Sequence, residues 1–244
     1  MDVEEKRRRV GDYTWYHTVD LGDGVVTPGQ FDHRPLLRHY GIPDDLTGKS
    51  VLDVGPAHGF FAFELEGRGA ARVVTAELAR WSAHDGTKKL KEKFDREGLD
   101  DSTESYLHGA LEFAIAARES KVEQTFCNVY DLSPETTGMF DLVFCGSMLL
   151  HVSDPLRALD AIRSVTRETA IIATTIDTAY RGRAPRARFV GSPLGPTFWE
   201  PNFACLERWA IAAGFARTER VARFKITSRD GTVDEAHGSI RAHV

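Results

Sequence analysis

Ser50-Val51-Leu52-Asp53-Val54-Gly55-Pro56-Ala57-His58-Gly59 sets a short apolar run against an acid and two glycines four residues apart. Val51, Leu52 and Val54 suit a strand buried on both faces of a parallel sheet. Gly55 and Gly59 predict a tight turn that brings backbone amides to a ligand at a helix N-terminus. A strand, turn and helix of this kind suit an adenosine-type cofactor. The dinucleotide fingerprint, Gly-x-Gly-x-x-Gly, needs its middle glycine where the pyrophosphate approaches, and that position is Ala57, which argues against NAD.

The neighbouring segments extend the pattern. Arg72–Glu77 reads as a second strand whose final carboxylate, Glu77, is placed to accept hydrogen bonds from both hydroxyls of a ribose at the carboxyl edge of a sheet. Val122–Cys127, Phe140–Gly146 and Ala170–Thr175 read as three more, and Val221–Ile226 with Ser239–His243 as closing antiparallel strands. Apolar strands joined by helical crossovers imply an α/β fold with a mostly parallel sheet covered on both faces.

Composition fits one soluble domain: 244 residues, 42% hydrophobic and 27% charged, are enough to bury a sizeable core. Cys127, Cys145 and Cys205 fall in apolar segments without metal-ligand spacing, so free buried thiols in a reducing, cytoplasmic setting are expected. The start of the chain lacks the apolar core of a signal peptide, and no run is long enough for a bilayer. Lys6 to Arg9 reads as a solvated helix face. A net charge of −5 argues mildly against a protein that covers a long nucleic-acid backbone. Arg181, Arg183, Arg186 and Arg188 nevertheless crowd a Pro/Gly-containing segment beyond the fifth strand, either as a clamp for an anionic substrate or as an exposed loop.

Breakers divide the chain into an N-terminal cap (1–48), a cofactor core (49–175), a lid (176–201) and a closing helix with strands (202–244). In the cap, Asp20 to Gly24 predicts a turn and Phe31–Tyr40 a helix. The long crossover 80–120 predicts a helix over Lys88–Arg96 and a loop over Asp100–Glu104. Asn202 is a candidate N-cap for the final helix and Gly214 its stop.

Asp53-x-Gly55-x-x-x-Gly59 is similar to motif I of class I S-adenosylmethionine-dependent methyltransferases. Over nearly its whole length the chain resembles the group of that family related to the enzyme that completes the 5-oxyacetic acid group on tRNA wobble uridine. The resemblance is carried by Trp15-Tyr-His-Thr-Val-Asp-Leu-Gly-Asp-Gly-Val-Val-Thr-Pro-Gly, Val51-Leu-Asp-Val-Gly, Phe140-Asp-Leu-Val-Phe-Cys-Gly-Ser-Met-Leu-Leu-His-Val-Ser-Asp-Pro and Phe198-Trp-Glu-Pro-Asn. It implies a Rossmann-like, doubly wound sheet with S-adenosyl-L-methionine as cofactor. It places Asp53 toward the methionine ammonium, Gly55 and Gly59 along the cofactor, and Asn128 and Val129 against adenine, although Asn128 equally suits a turn. Gly146, ending the fourth strand, joins these cofactor residues. The tRNA enzyme takes a carboxylated cofactor held by a lysine and by a tyrosine just before the histidine of its fourth-strand motif. This chain has Leu150 at the tyrosine position and Tyr16-His17 where the lysine is sought, which favours ordinary methyl donation.

Methyl transfer from a sulfonium needs an aligned acceptor and, for a hydroxyl, a base. His151 and His17 are the candidate bases, with turn ordering and aromatic packing as their respective alternatives; His58 is expected to pack near the cofactor. Trp15, Tyr16 and Trp199 are candidate acceptor contacts, as is Arg181, and no metal spacing is present. The expected function is O-methylation of a small-molecule or glycan hydroxyl. The alternatives are a tRNA wobble-uridine modification enzyme and a non-catalytic cofactor-binding or scaffold protein.

Overall fold

Residues 1–98, 108–180, 182–191, 195 and 197–244 are described by a computed structural model. Five parallel strands, β1 (Ser50–Val54), β2 (Arg72–Glu77), β3 (Glu123–Phe126), β4 (Phe140–Gly146) and β5 (Thr166–Thr175), share one sheet with two antiparallel strands, β8 (Arg217–Thr227) and β9 (Asp234–His243). The sheet order is β3-β2-β1-β4-β5-β9-β8. Strand order therefore reverses between β1 and β4, and a crevice opens there at the carboxyl ends of the strands. A separate ribbon pairs β6 (Ala187–Phe189) with β7 (Trp199–Pro201). This is the doubly wound, mostly parallel α/β architecture expected.

Each face of the sheet has its own core. On one side α2 (Phe60–Gly67), α4 (Ala110–Arg118) and the N-terminal cap bring Phe61, Leu65 and Leu111 against Phe144 and Ile171. On the other, α5 (Pro155–Ser164) and α6 (Phe203–Ala212) press Leu159, Ile162 and Leu206 onto Val143 and Ile172. The alternation of Ile171 and Ile172 between the two cores follows from the two-residue period of a strand. Asp154 accepts from the Arg157 amide to cap α5 ahead of Pro155, and Asn202 accepts from the Cys205 amide to cap α6. Each cap contributes about 1 kcal/mol.

The cap crosses the first core. Thr18 N donates to Phe31 O and Phe31 N to Tyr16 O, so residues 16–18 and 31 run side by side. The turn at Asp20–Gly24 is present, closed by Leu21 N to Val25 O. Phe31–Tyr40 does not form one helix: only Arg34–His39 coils, as a 3₁₀ helix, because Phe31 is held extended by its bonds to the strand-like segment. Helix α1 (Val3–Val10) is not wholly solvated either, since Lys6 turns inward to Asp23 and the Leu21 carbonyl.

The crossover helix α3 (Lys88–Glu97) lies where expected, whereas α4 was not foreseen; the expected loop Asp100–Glu104 lies outside the described residues. Strand β5 starts at Thr166 rather than Ala170, because Phe140 of β4 already pairs with Thr166 across an irregular register. Closing strands β8 and β9 are likewise longer than their apolar runs: β8, at the sheet edge, gains mostly exposed positions, and β9 gains Asp234–Gly238, of which His237 and Gly238 are buried. Among the described residues no helix is long and apolar enough to cross a membrane.

Candidate functional site

A cleft opens at the switch point. Its floor is built by the residues that follow the strands: Gly55 and Ala57 after β1, Glu77 and Leu78 at β2, Asn128 and Val129 after β3, and Gly146 and Ser147 at β4. Gly55 is left-handed (φ 73°), and a Cβ there would come within 3.0 Å of Met148. Ala57 (φ 46°) and Ser147 (φ 57°) hold the same conformation despite carrying side chains. That strain sits where the backbone must turn its amides into the cleft.

Glu77 accepts the Leu78 amide at 2.8 Å and also the Ala57 backbone, which fixes its carboxylate across the turn. Burial pushes its pKa up to about 7. Asp53 lies beneath this floor rather than along it. It is buried, its Oδ2 has no partner, and burial together with the Glu77 charge pushes it up to about 8, opposed by the Ala62 amide. Gly59 also leaves the cleft wall. It begins α2 in a left-handed conformation, and a Cβ there would meet Leu111 at 2.5 Å, so close packing admits no side chain at this position. Asn128 serves as a turn residue, accepting from Tyr130 N at 3.1 Å, and lines the cleft as well.

One wall comes from the cap and carries Tyr16, His17 and His33. The cap is fastened to the glycine turn by Tyr16 N, which donates to His58 Nδ1 at 2.7 Å, and by Trp15, whose indole stands edge-on to the His58 ring. Trp15 gives its Nε1 hydrogen to Val10 O and does not line the cleft. Burial holds His17 well below the ordinary imidazole range, helped by His33 and His58; burial and His237 lower His33 to about 4. Both rings are neutral near pH 7.

The opposite wall joins Trp81, His84 and Asp85 to Tyr130 and His151. Asp85 accepts from the Tyr130 hydroxyl and from the amide and hydroxyl of Ser153. Burial works to raise Asp85, but these bonds together hold it below the usual carboxylate range. They tie residues 81–85 to the turn after β4. His151 lines this wall edge-on to His84 at 5.9 Å between centroids.

Trp199 stays outside the cleft, stacked obliquely on Phe189 and donating to Ser153 O. Arg181 lies outside the described residues. Of its neighbours, Arg188 pairs with Glu200 and Arg186 covers the Tyr180 ring, while Arg183 lines a separate groove with Arg220 and Arg223. No Lys or Arg is found among the described residues of the cleft.

Sequence reasoning thus placed His17, His151, Tyr16, Gly55, Glu77, Asn128, Val129 and Gly146 at the cleft, and missed His33, Trp81, His84, Asp85 and Tyr130. The overlooked residues come from the cap and crossover, where no strand pattern marks a position. The aromatic run around Phe31, His33 and Tyr40 was the available signal for His33.

A family model described as a methyltransferase domain matches residues 34–216. A tRNA U34 carboxymethyltransferase of Campylobacter jejuni subsp. jejuni is 23% identical over 186 residues, covering 75% of this chain and 54% of that protein. One from Helicobacter pylori (strain G27) is 23% identical over 192 residues, covering 76% and 63%. The chain therefore spans only part of the length of these curated relatives. Among solved structures, the N-terminal domain of EvdMO1 in the presence of SAH and D-fucose has a TM-score of 0.67 at 18% identity, over 100% of this chain and 97% of that one. An S-adenosylmethionine dependent methyltransferase from Mesorhizobium loti has a TM-score of 0.52 at 13% identity, over 86% and 97%. These structural likenesses concern the fold.

Proposed function

We propose that this chain, which belongs to the methyltransferase-domain family and is an S-adenosylmethionine-dependent enzyme, methylates a hydroxyl oxygen on an uncharged small molecule or glycan. The observation that carries this reading is a cleft with carboxylates at Glu77 and Asp85, and aromatic and histidine walls without a lysine or arginine among its described residues.

The residues present fit the cofactor. Glu77 offers its carboxylate for ribose hydroxyls, Asn128 and Val129 offer a polar and an apolar contact for adenine, and Gly55 and Gly146 leave room along the floor. Asp53, protonated beneath that floor in the ligand-free protein, gains its charge as the methionine ammonium arrives. When bound, S-adenosylmethionine supplies an electrophilic methyl group on a sulfonium. The protein must then hold the acceptor in line, exclude water and receive the hydroxyl proton. His17 and His151 stand on opposite walls as candidate proton acceptors, and the neutral state of His17 leaves it a lone pair. The Asp85–Tyr130–Ser153 network holds the second wall closed.

RNA is the second reading, favoured by the similarity to tRNA U34 carboxymethyltransferases. The deciding experiment incubates the protein with methyl-labelled cofactor and, separately, metabolite, glycan and tRNA fractions, followed by mass analysis of the products. Label in a neutral hydroxylated metabolite or glycan supports the first reading. Label in tRNA reverses the order, and cofactor binding without turnover in any fraction favours a non-catalytic role.

A further inference from the structure

We infer that His17 and His33 form the acceptor subsite, and that it takes an uncharged ring bearing two neighbouring hydroxyls, one of which accepts a hydrogen bond from His33 Nε2–H. This deepens the methyltransferase reading above and rests on it.

The donor role of His33 follows from Tyr40. The Tyr40 side chain is fully buried, and its hydroxyl lies 2.9 Å from His33 Nδ1. Burial pushes the phenol far above its usual range, so the group stays protonated and its hydrogen must find an acceptor. Nδ1 is the acceptor at hand, which leaves the proton of a neutral His33 on Nε2. The opposite tautomer would strand the buried Tyr40 hydrogen, a cost of about 1–3 kcal/mol. His33 lines the cleft, and with Nδ1 taken by Tyr40, Nε2 is the ring nitrogen left for a ligand there.

His17 places a second imidazole beside it. The two rings meet edge to face with centroids 5.2 Å apart, and His17 Nδ1 is buried without a partner, so only its Nε2 edge is available to a ligand. Two imidazoles this close can each hold one of two oxygens carried on neighbouring atoms. Adjacent hydroxyls on a ring provide that pair, while Tyr16 and Phe61 offer apolar faces to the ring body. No side chain among the described cleft residues offers an anionic acceptor a cation, and the carboxylates of Glu77 and Asp85 stand against it.

Two measurements on the full chain test this. Imidazole ¹⁵N NMR should find His33 as the Nε2–H tautomer, and Tyr40→Phe, which leaves the His33 ring in place, should mix the two tautomers. A resting Nδ1–H tautomer overturns the proposal. Calorimetry on protein saturated with S-adenosylhomocysteine then compares catechol with phenol and cis-1,2-cyclohexanediol with cyclohexanol. Each diol should bind at least tenfold more tightly than its single-hydroxyl partner. His33→Gln, which keeps a donor, should retain most of that preference, and His33→Ala should erase it. Equal binding of diol and alcohol, or no diol binding, overturns the subsite while the cofactor still binds. Failure of S-adenosylhomocysteine to bind removes the methyltransferase reading, and the subsite with it.

Discussion

Asp53 and Glu77 stand on adjacent parallel strands, Asp53 in register with Thr75 two residues before Glu77, and the charge of Glu77 helps hold the buried Asp53 carboxyl in its protonated form. Two acids are thus concentrated in and beneath the floor of a cleft whose described residues include no lysine or arginine. A ligand bearing a positive ammonium or sulfonium relieves that arrangement.

The pair makes stability and binding depend on pH in opposite directions. With both folded pKa values raised, to about 8 for Asp53 and about 7 for Glu77, the ligand-free fold keeps protons that the unfolded chain releases near pH 4. Stability of the ligand-free protein should therefore fall as pH rises from about 4 to about 8 and level off above. Affinity for S-adenosylmethionine should rise over the upper part of that window as the acids ionise. Thermal melts between pH 5 and 9, with and without cofactor, check both trends. Asp53→Asn should flatten the first and raise the ligand-free melting temperature at pH 8; an unchanged slope would show that Asp53 is already ionised.

Gly29 sets the position of the cap wall. A Cβ on this residue would lie 2.0 Å from the His17 carbonyl carbon and from Thr18 N, whereas one on Gly24 meets nothing within 4 Å. Gly29→Ala should therefore push away the segment carrying Tyr16 and His17, costing about 1–3 kcal/mol by the measure of overpacked cores. Gly24→Ala should cost about 1 kcal/mol from its left-handed backbone alone. Urea unfolding separates the two, and methyl turnover should drop only in Gly29→Ala.

The contrast between those glycines illustrates what a sequence reveals. β1, β2 and β4 were legible because strands buried on both faces are continuous apolar runs, and the residues at or just past their ends, Gly55, Glu77 and Gly146, reach the carboxyl edge. Asp53 was recognisable as part of a motif. Its position under the floor was not, because motif spacing says nothing of which way a strand residue points. His33 and Asp85 were harder to see for a different reason: each is placed by side-chain partners that no strand pattern marks, Tyr40 within the cap for one and Tyr130 with Ser153 for the other. Lys6 shows the same limit, since its burial depends on Asp23 and the Leu21 carbonyl across a turn.

Leu150 bears on cofactor choice. It is buried beside the turn that carries His151, and its carbonyl accepts from Phe198 N. A carboxylate added to the cofactor would find neither a hydroxyl at this position nor a described cation in the cleft. Ordinary S-adenosylmethionine should be preferred over its carboxylated analogue by roughly tenfold or more, the scale of one unmatched charged group. Competition calorimetry reads this directly. A preference for the carboxylated form would return tRNA to first place.

His151 and His17 divide the question of proton removal between the two walls. A positioned base typically contributes a hundredfold or more to turnover, so replacing the true base by alanine should lower kcat by at least that factor while cofactor affinity stays within a fewfold. His17 makes a distinct prediction, because its pKa is held well below the ordinary 6.5: an enzyme using it keeps the base deprotonated into acid, and the acid limb of kcat lies below that value. Loss of that limb together with the rate in His17→Ala, with His151→Ala near wild type, assigns the base to the cap wall. The reverse result assigns it to the turn after β4. If both folded variants retain turnover, the acceptor needs no histidine base, and an acceptor that is already ionised or nucleophilic at neutral pH takes the place of an ordinary alcohol.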